Sequence, residues 1–150
     1  MLELEGFHGQ TISIPEDLLY YKEQELWVKP GQEPQALAFG FTQAAVALIS
    51  GFTYLEFIAG LGDFLQQGSP VFAVDTYKVS FELYSPVSGK VVYLNLGLEG
   101  DGAVRIEEDP YGLTIFALEV SEGFDPKQYF LDAKGYFEAL EAGCVSICGS

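Results

Sequence analysis

Four kinds of residue could carry chemistry in this chain: one histidine, two cysteines, a scatter of carboxylates and a few lysines. The histidine, His8, lies near the start with no serine or cysteine nucleophile arranged around it, so a Ser-His-Asp or Cys-His mechanism has nothing to work with. The carboxylates form no recognisable pair for acid–base work, and no P-loop is present. The glycines around Gly60 lack the strand-to-helix setting of a nucleotide fingerprint. Cys144 and Cys148 are the chain's 2 cysteines, and their spacing of four would put both thiols on one helix face. With no further cysteine or nearby histidine they support no metal cluster, and a dispensable tail is expected from Gly143 on. Lys78 stands out. It falls between two apolar runs, where a hairpin tip would hold its ammonium away from the core and offer it to other proteins. A gatekeeper charge at an exposed turn is the competing reading.

The elements that must position Lys78 follow from pattern. Val71–Val74 is an apolar run. After Asp75-Thr76-Tyr77-Lys78, the residues Val79, Phe81 and Leu83 alternate with Ser80, Glu82 and Tyr84, a period of two that marks a half-buried strand. The two runs make a β-hairpin turning near Lys78. Ser85-Pro86-Val87-Ser88-Gly89 is a second turn, leading into the strand Val91–Leu94. Upstream, Leu26–Lys29, Leu37–Phe41 and Phe52–Ile58 read as strands, and Thr42 caps a short apolar helix from Gln43 to Ile49. Downstream, Glu107–Gly112 is a polar turn and Leu113–Val120 a strand. Asp125-Pro126 starts one helix. Asp132 starts another, in which Ala133, Tyr136, Phe137 and Leu140 share a face and Gly143 makes the stop. The expectation is a mostly β barrel or sandwich with short peripheral helices.

Residue identities around Lys78 go further. Val74-Asp75-Thr76-Tyr77-Lys78 followed by Tyr84-Ser85-Pro86-Val87-Ser88-Gly89 resembles the lipoyl-attachment region of the glycine cleavage system H protein family. There an acidic residue stands three before the modified lysine, and a Tyr-Ala-Pro-Val-Ser-Gly turn follows. Gly68-Ser69-Pro70 resembles the family's Gly-x-Pro, Asn95 and Leu98 its Asn-x-x-Leu, and Glu108-Asp109-Pro110-Tyr111-Gly112 its Asn-x-Asp-Pro-Tyr-Gly turn. Tyr21 to Val28 resembles the opening Tyr…His-Glu-Trp-Val, and Phe41-Thr42 the Ile-Thr-Asp before the helix. The resemblance covers roughly residues 20–142. It divides the chain into an N-terminal leader (1–19), an H-protein-like lipoyl domain (20–142) and a cysteine-containing tail (143–150).

The resemblance implies a barrel-sandwich hybrid of lipoyl/biotinyl type that is a carrier rather than an enzyme. Lipoate would be joined covalently to Lys78, and Asp75 would help a lipoate ligase or lipoyltransferase identify that lysine. The arm would accept an aminomethyl group from a pyridoxal-phosphate-dependent glycine decarboxylase and deliver it to a folate-dependent aminomethyltransferase, with dihydrolipoamide dehydrogenase reoxidising the thiols. Two alternatives stay open: an H-like carrier of a sulfur substrate, and an unmodified interaction scaffold. Biotin is disfavoured because Tyr77 and Val79 do not match a Met-Lys-Met tip. Glu25 and Leu26 stand where the family has His-Glu, Gln43 replaces an Asp, and Leu113-Thr114 replaces Gly-Trp. Together with an unusually apolar Ala44–Ile49 helix, these departures are expected to alter surface that partner proteins read.

Composition limits the rest. With 150 residues, 49% hydrophobic and 15% aromatic, the chain suits one domain with a full core and not a disordered segment. The 22 acidic against 7 basic residues, a net of −15, argue against nucleic acid and against anionic membrane surfaces. Residues Gln35 to Leu55 carry no charge but are broken by Gly40, Gly51 and polar residues, so no membrane span is expected. The start carries Glu3 and Glu5 and no basic region, and cysteine is sparse. The expected compartment is a reducing cytoplasm.

Overall fold

A computed structural model describes residues 1–31, 35–49 and 51–143. Cys144 and Cys148, with the expectations for the tail, lie outside the described residues. Residues 1–19 depart from the expected leader. Strands β1 (Leu2–Phe7) and β2 (Gln10–Ile14) pair antiparallel, with Leu4 opposite Ile12 and Phe7 opposite Gln10. The loop between them is His8-Gly9, both at positive φ (48° and 80°), the two-residue geometry whose twist suits a hairpin. The lone histidine is thus a turn residue.

The next strands are β3 (Leu19–Tyr21), β4 (Leu26–Pro30) and β5 (Ala36–Phe41), followed by helix α1 (Gln43–Ile49). The Thr42 hydroxyl accepts from the Ala45 amide at 3.1 Å, the expected cap. Then come β6 (Phe52–Phe57), β7 (Phe64–Leu65), β8 (Pro70–Thr76), β9 (Ser80–Tyr84) and β10 (Gly89–Leu94). The stretch after β10 holds 3-10 turns over Leu96–Leu98, Asp101–Val104 and Pro110–Gly112, with helix α2 (Arg105–Glu108) among them. Strand β11 (Phe116–Glu119) is shorter than expected, and just before it the Asn95 amide donates to the Thr114 carbonyl (3.0 Å). Helices α3 (Pro126–Tyr129) and α4 (Ala133–Glu141) begin where Asp125 and Asp132 accept from the Lys127 and Gly135 amides. Gly143, at φ +74°, follows the last turn.

The strands form a six-stranded sheet ordered β3-β4-β5-β11-β10-β7 and a three-stranded sheet ordered β6-β8-β9. The main core fills the space between them. Phe39 stacks on Phe116 with centroids 4.7 Å apart, and Phe72 of the smaller sheet meets Phe116 and Phe41 at 6.0 and 5.9 Å. A second core covers the other face of the large sheet. There Tyr20 and Trp27 meet Ile12 and Ile14 of the first hairpin, Ala44 of α1, and Tyr136 and Leu140 of α4. Burial on both faces explains why Leu26-Trp27-Val28 shows no alternation: Leu26 and Val28 enter one core and Trp27 the other. Gly40 lies under the Trp27 ring, where a Cβ would collide with both that ring and the Leu113 carbonyl.

Helix α1 is wedged between the two cores. Ala45, Val46 and Ile49 pack into the first, and Ala44, Ala47 and Leu48 into the second. Ala44 and Ala45 are buried and Val46, Ala47, Leu48 and Ile49 half-buried, so the helix packs on both cores and keeps a partly accessible face.

Candidate functional site

The β8–β9 hairpin is bonded in register, Asp75 opposite Ser80 and Ala73 opposite Glu82. Lys78 lies in its turn and is exposed, as are Tyr77 (82%) and Val79 (57%). The turn is held by one side chain. The Thr76 hydroxyl accepts from the Lys78 and Val79 amides at 3.2 and 3.1 Å and lies 3.0 Å from the Val79 carbonyl, to which the Thr76 amide also donates at 2.9 Å. The Tyr77 ring lies over Gly51, whose φ of +83° and lack of a Cβ permit both the turn there and the ring above it. Among the described residues the Lys78 ammonium has no ion pair, while its backbone is fixed. An exposed charged group stands on a hydrogen-bonded turn.

Asp75, the second expected site residue, is half-buried beside the turn, and its carbonyl accepts from the Thr53 hydroxyl at 3.1 Å. With Tyr54, Glu56, Ala73, Ser80 and Glu82 it forms the outer face of the small sheet, by the register of the three strands. That face carries carboxylates and no cation apart from the lysine at its end.

The second motif turn does structural work. Ser85 is buried; its hydroxyl donates to the Val87 carbonyl at 2.6 Å, and its amide and carbonyl bond to Ser69 and Gly68. The following residues are held from outside, since Tyr129 donates to the Pro86 carbonyl at 2.9 Å and Ser88 accepts from the Gln67 amide at 3.0 Å. Gln24 is a member of the site that sequence reasoning missed. Its carboxamide accepts from the Tyr84 amide at 2.7 Å and donates to the Tyr84 carbonyl at 2.8 Å, completing the free edge of β9 as a neighbouring strand would. Beside that edge runs a groove of about 530 Å³ bordered by Tyr21, Gln24, Gln67, Phe81 and Glu82. Sixty positions separate Gln24 from Tyr84, so no local spacing marks the pair. Thr76 lies within the motif, and a hydroxyl two before the tip is the one signal that could have found it.

Two departures from the expected pattern point inward. Glu25, at φ 55° and 1% exposed, bonds through Oε2 to the Lys22 ammonium (2.9 Å) and through Oε1 to the hydroxyls of Thr42 (3.1 Å) and Tyr136. Gln43 Oε1 accepts from the Ser13 amide at 2.7 Å and anchors the first hairpin. Tyr111 of the Asp-Pro-Tyr-Gly turn does the same from the other side, donating to the Ser13 carbonyl at 2.7 Å. Trp27 donates to the Pro110 carbonyl at 2.9 Å. Glu25 is thus buried and Gln43 half-buried, each bonded within the fold.

A family profile described as Glycine cleavage H-protein matches residues 18–142. The chain belongs to this family. Within the glycine cleavage H-protein family, the chain is 33% identical over 132 residues to the glycine cleavage system H protein of Thermus thermophilus, covering 87% of this chain and 98% of that one. It is 41% identical over 100 residues to the H protein of Oceanobacillus iheyensis, covering 67% and 75%. Among solved structures, the H protein of Mycobacterium marinum superposes with a TM-score of 0.68 at 25% identity, over 87% of this chain and 100% of that one. The mostly β architecture with short helices is the H-protein fold, as expected from the motifs. The function that goes with the family is that of a lipoyl carrier in glycine cleavage, which the matches favour over the sulfur-carrier alternative. The matched span starts after the first hairpin, which is therefore an addition to the part that the H-protein profile describes.

Proposed function

We propose that Lys78 is the lipoyl-bearing lysine of this carrier and that Asp75 is part of what the attaching enzyme reads. The exposed lysine in a turn pinned by Thr76 carries the reading. The residues present fit the group. Among the described residues no ion pair competes for the ammonium, and Lys78 and both its neighbours are exposed. If attached, the lipoyl group would supply a dithiolane in which one sulfur takes up the aminomethyl carbon as the S–S bond breaks and the other sulfur leaves as a thiol, the ring being restored by oxidation after the unit is released. The protein supplies the support. The β8–β9 ladder and the Thr76 turn present the modified side chain, and Asp75 and Glu82 set the charge of the face beside it. The groove along β9 lies about four residues, roughly 14 Å, from the tip, close enough for a long arm to reach.

The chain is a non-catalytic subunit in this proposal, acting in the cytoplasm; among the described residues no helix is long and apolar enough to cross a membrane. Its partners are glycine decarboxylase, aminomethyltransferase and dihydrolipoamide dehydrogenase, with a lipoate ligase or lipoyltransferase acting first. The lipoyl unit spans residues 20–142.

The test is modification in a host with a lipoate ligase, read by intact mass and peptide mapping. One lipoyl group on Lys78, absent from Lys78→Arg, is the expected result. A group on another lysine, or none in the native cell, overturns it. Asp75→Ala is expected to slow attachment while leaving the melting temperature unchanged.

A further inference from the structure

A groove of about 620 Å³ opens between the first hairpin and α4, on the side of the molecule that bears the second core. It shares no lining residue with the groove along β9 or with the Lys78 turn. Leu2, Ala133 and Phe137 supply its apolar surface. Its volume lies in the range of sites that take a ligand or several side chains. One wall, with Leu2, Glu3 and Glu16, precedes the residues that the H-protein profile matches.

Charge decides what fits there. Carboxylates of Glu3, Glu16, Asp132, Glu138 and Glu141 surround the apolar floor, against one cation, Lys134. Glu16 meets the Met1 ammonium at 3.0 Å and Asp132 caps the Gly135 amide at 2.8 Å. Glu3, Glu138 and Glu141 enter no ion pair among the described residues. A second copy of this chain is a poor occupant, because it brings the same net charge of −15. Anionic lipid is excluded by the same repulsion. A complementary occupant has apolar side chains for the floor and cations for the rim.

We propose that this groove docks a basic amphipathic segment of a partner protein, separately from the Lys78 hairpin. A grip on this side holds the carrier near its partner and leaves the hairpin free, so that a second contact becomes an intramolecular event. Opposite charge speeds the encounter, and the apolar floor supplies residence time.

The experiment uses the full chain and a short synthetic peptide in which lysine pairs alternate with leucines. Amide shifts on titration are expected at Leu2, Glu3 and residues 132–141. A Glu138→Lys/Glu141→Lys variant is expected to weaken binding at least ~10-fold, and a charge-matched Glu119→Lys/Glu122→Lys variant, at exposed carboxylates that line neither groove, less than ~2-fold. Oligolysine lacking leucine is expected to bind at least ~10-fold more weakly. Both variants should keep the parent melting temperature and rate of Lys78 modification. Equal loss in the two variants, parity of oligolysine, shifts centred on the small sheet, or slowed modification in the Glu138/Glu141 variant each overturn the proposal.

Discussion

Glu25 shows how one buried carboxylate can organise a fold. It is compensated by Lys22 and by two hydroxyls, and its own carbonyl accepts from the Thr42 amide at 3.0 Å. Removing a donor leaves charge buried with less support, so Tyr136→Phe is expected to cost about 1–3 kcal/mol in denaturant unfolding. Burial first, and the Glu25 charge next, hold the Tyr136 hydroxyl well above the usual tyrosine range. Burial also raises Tyr20 and Tyr111. In the unfolded chain each ionises near pH ~10. Above that pH the unfolded state gives up protons that the folded state keeps, so their contribution is whole below it and falls as pH rises beyond. A melting series should steepen downward above about pH 10, less so in Tyr136→Phe by one proton's share. At the hairpin, Thr76→Val keeps the size and loses the turn bonds. It is expected to slow modification of Lys78 several-fold at a stability cost of about 1 kcal/mol. The lysine and its motif are legible in sequence, because the hairpin and both its turns lie within residues 68–89. The role of Glu25 is not, because its partners stand up to 111 positions away.

Elements acquire meaning from what they cover. The first hairpin places Ile12 and Ile14, both fully buried, against the far face of the large sheet. Ile12→Ala is expected to lower stability by about 2–5 kcal/mol, read by chemical denaturation. Lys78 modification at a temperature below the transition should proceed as before, because hairpin and lysine sit on different cores. The Gln24 clamp makes a narrower claim. Gln24→Ala should speed hydrogen exchange at the Tyr84 amide and leave the amides paired between β8 and β9 protected. The period-two signal of Leu2, Leu4, Ile12 and Ile14 around His8-Gly9 is present in the sequence. It is short, and its turn dipeptide is not among the strong hairpin formers, so it reads as a leader until the surface it covers is known.

At the scale of the molecule, acidic charge is almost unopposed. With 22 acidic residues in the chain, only two ion pairs occur among the described residues, Met1 with Glu16 and Lys22 with Glu25. Self-repulsion at a net charge of −15 destabilises the compact state, and salt screens it. The melting temperature is expected to rise by several degrees between about 50 and 500 mM NaCl at neutral pH, where the Debye length falls from about 14 to 4 Å. Scanning calorimetry checks it, and a falling temperature would mean that the surface charges are mutually compensated.

Sequence by itself determined the carrier family, the lysine at the tip, the carboxylate three before it and most of the strands. The lysine, the carboxylate and the strands depend on neighbours within some twenty residues, where side-chain periodicity and turn chemistry speak directly, and the family follows from several such local motifs spread over residues 20–142. Tertiary structure alone decided that the leader is a hairpin, that α1 packs against both cores, and that Gln24 stands in for a strand beside β9. It likewise turned Glu25 and Gln43 inward. The physical reason is common to all of them. A residue's pattern tells which face wants burial, but the partner that supplies the burial, or the second hydrogen-bonding group, comes from a distant part of the chain that only the folded arrangement brings near.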